Sequence, residues 1–478
     1  MPRRVAVIDL GSNSARMAIF ERTSRLGFFI LREYKIKVRL GEGAYENGGV
    51  LQDAAMDNVF CAFSEFKHFI KLYKVNKVLC AGTSALRDAP NSSVFINRIK
   101  NELGLGLKII DGKMEAFYGG VAALNLLSPL SEATTIDIGG GSTELAKIKD
   151  GKIIDTISLN IGTVRLKELF FDKKDISGAA KFIDDMLSNL PNGFNSANII
   201  AIGGSLRAIS NAIMQIKKHP LKLVHNYSYE LKEHSSFIEK LAFANVFDLK
   251  DFPVKKDRYD TIREGAMIFS KVAKRLGGKK IHTSGAGVRE GIFLSNLLRP
   301  GIKFPQNFNP SLRSLQDRFI ETSNPNTPKY AKILFDVLKP LHKLDDKYAN
   351  ELVIASKLYS LGRFLGFYSE HAHSSYIVQN GLNYGYTHEQ KALISAIIFY
   401  QGKLISELGE FKELLPSIDE VRWLSFLLGL AKAVNISDEM EFSFVNHALH
   451  IKGIKNFFMV KESIKKLVKP SIFAITFD

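Results

Sequence analysis

A short apolar β-run that delivers an aspartate into a glycine-serine turn occurs twice in this chain, and the repeat constrains the fold more than any other feature. The first copy reads Val5-Ala6-Val7-Ile8-Asp9-Leu10-Gly11-Ser12-Asn13-Ser14. The second reads Thr134-Thr135-Ile136-Asp137-Ile138-Gly139-Gly140-Gly141-Ser142-Thr143-Glu144. In each, a strand ends on a carboxylate, and the turn then exposes backbone N–H groups and hydroxyls that can cradle phosphate oxygens. Two such hairpins facing each other can grip a polyphosphate and its metal ion from both sides.

The flanking periodicity repeats as well. Val5–Leu10 and Ala15–Arg22 predict a hairpin, Phe28–Arg39 a further strand and Ala54–Tyr73 an amphipathic helix. A buried strand over Lys77–Ala81 runs into Thr83-Ser84-Ala85-Leu86-Arg87. The order recurs in Thr134–Ile138, Glu144–Lys149, Lys152–Leu159 and Asn198–Ile202, the last ending at Gly203-Gly204-Ser205. This predicts an internal duplication of mixed-sheet α/β domains over residues 1–122 and 123–305. Pro305, Pro310, Pro325 and Pro328 mark a boundary near 300–310. Helical periodicity dominates from Ser311, so residues 306–478 are expected to form an all-α domain.

At 478 residues the chain is too long for a single core. Its net charge of +16 favours anionic partners, set against the plainer reading of solvated surface lysines. The basic residues are spread along the chain and form no tail, which speaks against a dedicated nucleic-acid arm. No apolar stretch is long enough to span a bilayer. Two cysteines, Cys61 and Cys80, and an opening without an apolar leader lead to the expectation of a cytoplasmic protein.

The wording of the motifs is more specific than their architecture. Asp9–Ser14, Thr83–Arg87, Glu115-Ala116, Asp137–Glu144, Ile161-Gly162-Thr163-Val164-Arg165-Leu166 and Gly287-Val288-Arg289-Glu290-Gly291 occur in this order. Together they resemble the exopolyphosphatase/guanosine pentaphosphate phosphohydrolase (Ppx/GppA) family of the actin-like ATPase and sugar-kinase superfamily. The resemblance covers roughly residues 1 to 300. It implies two actin-like (ribonuclease H-like) α/β domains facing a cleft. It also implies hydrolysis of the terminal phosphate of inorganic polyphosphate, guanosine pentaphosphate or both, with Mg²⁺ (Mn²⁺ being the alternative ion). A homodimer is the implied assembly, with no membrane and no specific nucleic acid as partner.

Removing a terminal phosphoryl group requires that charge be neutralised, the phosphate held and a water oriented. Gly11, Ser12, Asn13 and Ser14 suit the holding, as do Gly139, Gly140, Gly141 and Ser142; the plainer alternative for the three glycines is a tight hairpin. Asp9 and Asp137 occupy equivalent points of the two copies, and Glu144 closes the second turn. Hard oxygen ligands of this kind suit Mg²⁺, with Asx turn capping as the alternative for the aspartates. Arg87 can bind phosphate through its guanidinium fork, or form a surface ion pair. Gly204 and Ser205 sit where a further phosphate or a nucleoside would be held. Glu115 alone reads as a helix N-terminal acid that complements the macrodipole; the family resemblance makes it the general base. The family's usual arginine after the Glu-Ala pair is replaced here by Phe117.

The third part resembles a degenerate HD-hydrolase-like domain, through Leu341–Leu344, Ala355–Gly362 and His371-Ala372-His373-Ser374. Tyr359-Ser360 stands where an active HD domain has its His-Asp pair, so a structural or phosphate-binding role is expected in place of a second hydrolase. Two rival functions remain. An ATPase or phosphotransferase of the same superfamily needs an acceptor site or a catalytic aspartate in place of Glu115. A non-catalytic alarmone or polyanion binder needs basic and aromatic residues organised as in RNA-binding motifs, which Tyr73–Lys77 and Phe457–Lys469 are not.

Overall fold

The computed structural model describes every residue except 1–2, 321–325, 437–438 and 455. The chain divides into two compact units, Met1–Asn309 and Pro310–Asp478.

The first unit is built on two sheets. One contains β1 (Arg4–Leu10), β2 (Ser14–Arg22), β3 (Phe28–Lys37), β4 (Lys77–Gly82) and β5 (Lys108–Ile109), in the order β3-β2-β1-β4-β5. The other contains β6 (Glu132–Ile138), β7 (Thr143–Lys149), β8 (Lys152–Leu159), β9 (Asn198–Ile202), β10 (Ser228–Glu230) and β11 (Lys280–Thr283), in the order β10-β11-β9-β6-β7-β8. Read from β8 to β11, the second sheet repeats the order of the first. In both, the hairpin and its third strand are antiparallel and the next strand is parallel. The edge strand β10 is the addition. The duplication seen in the sequence is therefore a duplication of topology.

β1 has both faces buried, which is why Val5–Ile8 is a continuous apolar run. The helix Asp53–Leu72 covers this sheet through Ala55, Val59, Ala62, Phe63 and Phe66, spaced three or four residues apart on one face. Pairing register then fixes what each hairpin presents. Asp9 lies opposite Arg16 across β1 and β2. Asp137 lies opposite Glu144 across β6 and β7. The same backbone thus offers an acid beside a base in one copy and two acids in the other.

Two helices cross between the sheets. Gly112–Leu126 is capped by Asp111, whose Oδ1 accepts from the Met114 N–H at 2.7 Å. Val288–Leu297 meets it so closely that a methyl group on Gly291 would lie 1.9 Å from the Tyr118 carbonyl oxygen. Only glycine permits this approach.

The second unit is mainly helical, around a core that includes Tyr330, Phe335, Leu352, Ile397, Phe426 and Leu427. It is not purely α, as the sequence had suggested. β12 (Glu441–Val445), β13 (Ala448–Lys452) and β14 (Ala474–Phe477) form a three-stranded sheet. Phe442 and Phe444 alternate with polar residues and turn toward the core, with the Phe442 ring 5.4 Å from Tyr330. The tight turn between β12 and β13 uses Asn446 and His447 at positive φ, a dipeptide that signals a hairpin less clearly than Asn-Gly.

Two of the histidines noted in this unit, His342 and His371, have ordinary partners. His342 is buried, its Nε2 2.7 Å from the Phe335 carbonyl and its Nδ1 accepting from the Leu344 N–H at 2.9 Å. His371 Nε2 lies 3.1 Å from Lys403 Nζ, which is cationic company and unsuited to a metal ligand. No helix among the described residues is long and apolar enough to cross a membrane.

Candidate active site

The ends of β1, β4, β6 and β9 converge, with the two crossing helices, on a cavity of about 360 Å³. Asp9, Gly11, Ser12, Asn13, Ser14, Glu115, Asp137, Gly139, Gly140, Ser142, Glu144, Gly204 and Ser205 all line it. Two expected residues stand just behind the wall. Gly141 is covered by Tyr45, Ser12 and Ser84. Arg87 reaches Glu115 Oε2 at 3.2 Å, the Ile110 carbonyl at 3.3 Å and Ser142 Oγ at 3.5 Å. It is neither a surface ion pair nor a free phosphate fork.

Glu115 lies in the first turn of Gly112–Leu126 and is 8% exposed. Burial pushes its carboxyl well above the ordinary range, and the charges of Glu144 and Asp9 push in the same direction, against the pull of Arg87. Glu144, 2% exposed, accepts from Ser158 Oγ at 2.8 Å. Burial raises it to about 7, and the Asp137 charge adds to the effect while the Ser142 hydroxyl opposes it. Asp137 is raised to about 6 by burial, against Arg207 and Arg16. Asp9 is also raised by burial, opposed by Arg16 and Arg289. Four carboxyls that resist ionisation together make a site that favours a cation among them.

The same cavity is lined by cations that no motif had singled out as a group: Arg16, Lys35, Arg207, Arg258 and Arg289. Arg16 donates to Ser14 Oγ at 3.1 Å. Arg207 is held by the carbonyls of Gly203 (3.0 Å) and Gly285 (2.7 Å). Arg289 donates to Glu33 Oε1 at 2.8 Å. Burial lowers Arg16 to about 10, with Arg207 and Arg289 adding to the fall, and lowers Lys35 to about 8, with Arg258 and Arg16 adding. Cations gathered at this cost in desolvation and mutual repulsion call for an anion. A second cavity of about 850 Å³ shares Arg16, Lys35, Gly204, Arg207, Arg258 and Arg289 with the first, so the two adjoin. Its further walls combine Lys218, Lys222 and Lys255 with apolar Met214, Leu221 and Val254.

Some of these residues carried a local signal. Arg16 faces Asp9 in register, and Arg289 stands within the Gly287–Gly291 motif. Lys35 and Arg258 lie in no motif, and only the tertiary fold brings them to the cavity.

Comparison with known proteins agrees with this architecture. Residues 18–300 match the model of the Ppx/GppA phosphatase family, and residues 313–453 match its domain III. A guanosine-5'-triphosphate,3'-diphosphate pyrophosphatase from Pseudoalteromonas translucida (strain TAC 125) is 26% identical over 413 residues, covering 82% of this chain and 79% of the relative. The crystal structure of the Aquifex aeolicus family member superposes with a TM-score of 0.53 at 27% identity, covering 63% of this chain and 99% of the other. An exopolyphosphatase from Cytophaga hutchinsonii shares the fold, with a TM-score of 0.57 at 24% identity over 63% of this chain and 100% of its own. The first unit has the two-lobed actin-like α/β fold of these neighbours. Because the family model matches more than half of the chain, taking in Glu115, the second glycine turn and both crossing helices, the chain belongs to the Ppx/GppA phosphatase family.

Proposed function

We propose that this phosphohydrolase removes the terminal phosphate of inorganic polyphosphate, guanosine pentaphosphate or both, by attack of a water that Glu115 deprotonates. The observation that carries the reading is that one 360 Å³ cavity gathers the carboxyls of Asp9, Glu115, Asp137 and Glu144 together with the cations Arg16, Lys35, Arg207, Arg258 and Arg289. The cations neutralise and hold the phosphate chain. Backbone N–H groups and hydroxyls of the two loops hold the terminal group. Glu115, with its raised pKa, is a stronger base than an ordinary carboxylate once ionised, and so suits removal of a proton from water. Arg87 fixes its direction.

The donor set fits Mg²⁺. Among the described residues no three acidic, histidine or cysteine side chains are grouped closely enough to cage an ion. Mg²⁺ does not need such a cage, since it retains waters and binds one or two carboxylates together with substrate phosphates. Asp137 and Glu144, paired across β6 and β7, are the carboxylates that would hold it, with Asp9 reaching it through one of the retained waters. When bound, it supplies charge neutralisation at the phosphoanhydride.

Both substrates end in the same anhydride, and the adjoining 850 Å³ cavity has basic and apolar walls for the remainder of either. The relationship to a guanosine-5'-triphosphate,3'-diphosphate pyrophosphatase supports the nucleotide, and the likeness of fold to an exopolyphosphatase keeps the inorganic chain in view. The test is phosphate release from long-chain polyphosphate and from guanosine pentaphosphate in parallel, with Mg²⁺ and with EDTA. Metal-dependent release is expected, and the ratio of kcat/KM values assigns the substrate. Tight binding of both without release would sink the reading.

A further inference from the structure

The turn after β3 carries a tyrosine that no phosphate-binding motif includes. Its backbone is tied to the first phosphate loop. Gly41 N–H donates to the Ser12 carbonyl at 2.8 Å, and the N–H groups of Val38 and Arg39 donate to the Asn13 carbonyl at 3.1 and 3.0 Å. From this anchor Tyr45 reaches the Ser12 hydroxyl, O to O 3.0 Å, and Ser12 Oγ lies 3.0 Å from Ser84 Oγ. The three hydroxyls press on the second loop. A Cβ on Gly141 would lie 2.1 Å from the Tyr45 oxygen, 2.4 Å from Ser84 Oγ and 3.0 Å from Ser12 Oγ.

The second lobe holds the tyrosine in turn. The Arg165 guanidinium stacks 4.4 Å from the centre of its ring. Arg165 also donates to the Gly141 carbonyl at 2.9 Å and to Asp88 at 2.7 Å. Glu168 accepts from the Gly43 N–H at 2.8 Å. Tyr45 therefore touches both phosphate loops and both lobes at once.

Hydroxyl bookkeeping gives this contact a direction. Ser12 and Ser84 line the cavity, whereas Tyr45 does not. Burial keeps the phenol protonated, and its proton can go only into the serine pair. A row of three hydroxyls holds three protons. If the phenol supplies the first bond, the last serine proton is left to point at a ligand oxygen. We propose that Tyr45 is the positioning residue that registers the two phosphate loops and aims the Ser12–Ser84 hydroxyls at the bound phosphate. This rests on the phosphohydrolase reading for its catalytic meaning, but its geometry is that of binding.

The test is a double-mutant cycle read by calorimetry of tripolyphosphate binding, in a Glu115→Gln background that stops turnover. Tyr45→Phe keeps the ring over Arg165 and removes only the hydroxyl. It is expected to weaken binding about tenfold, the value of one hydrogen bond to a charged group. Ser12→Ala breaks the same row, so Tyr45→Phe added to it should weaken binding no further than about twofold. Ser84→Ala reports the row from its other end and should show the same coupling. Unchanged binding by Tyr45→Phe, or losses that multiply in the double variants, would overturn the proposal. The absence of phosphate release from the unmutated enzyme would overturn the phosphohydrolase reading alone, since the binding cycle does not depend on turnover.

Discussion

Arg87 Nη1 lies 3.2 Å from Glu115 Oε2, so a residue just beyond the half-buried strand β4 holds the proposed base of the reaction. The pair opposes a larger effect. Burial and the charges of Glu144 and Asp9 raise the Glu115 pKa, and Arg87 lowers it. Removing the guanidinium therefore destabilises the ionised carboxylate and raises its pKa further. Arg87→Gln should shift the acidic limb of the kcat/KM profile to higher pH, and lower the rate on that limb more than on the plateau. A profile displaced vertically, with its limb unmoved, would mean that Arg87 acts only on the phosphate.

Metal dependence should follow the second hairpin. Asp137 and Glu144 face each other across β6 and β7, and are raised to about 6 and about 7. Protons and Mg²⁺ then compete for the same oxygens. Below about pH 7 the Mg²⁺ concentration for half-maximal activity should rise as pH falls, more steeply once Asp137 also takes up a proton near pH 6. Asp137→Asn and Glu144→Gln should each raise it on the order of tenfold or more at neutral pH. An unchanged requirement in both variants would remove these residues from the metal site.

What the sequence disclosed and what it hid have a common cause. Asp9, Asp137 and the glycine turns are local: strand, carboxylate and turn are contiguous, so the chemistry is written in a phrase. Glu115 was legible only through the family resemblance, since an acid in the first turn of a helix is ordinary. Arg16, Lys35, Arg207 and Arg258 come from different elements, and single basic residues look the same whether they face a cavity or solvent. The Phe442/Phe444 hairpin was missed because its turn, Asn446-His447, reaches positive φ without glycine. Its third strand, β14, joins from more than twenty residues further along.

The cation cluster gives the third prediction. Arg207 is clamped by two backbone carbonyls and faces the adjoining cavity as well as the first. On the proposed reading its charge would act on phosphates that do not react, and its contribution would be mainly to uniform binding. Arg207→Gln should raise KM roughly tenfold, with a smaller change in kcat. KM of the unmutated enzyme should rise with ionic strength as the cluster is screened, and the variant should respond less steeply. A loss confined to kcat would place Arg207 on the reacting phosphate instead.

Glu264 offers a test of stability that is separate from catalysis. It is fully buried in the helix Ile262–Arg275 behind the second phosphate lobe, and its carboxyl oxygens have no hydrogen-bond partner among the described residues. Arg263 comes no closer than 3.9 Å. Burial raises its pKa to about 7. The folded state therefore holds a proton that the unfolded chain releases near its ordinary value of 4.5. Below that value both states are protonated and the group is neutral in effect. Between 4.5 and about 7 only the folded state holds the proton, so stability falls with rising pH across that interval by roughly 3 kcal/mol in all, and levels off above it. Glutamine has the same shape and cannot ionise. The melting temperature of Glu264→Gln should lie close to that of the parent at pH 5 and several degrees above it at pH 8. A gap that is constant across this range would show that the carboxyl does not titrate there, and that its burial is compensated by a partner such as Arg263.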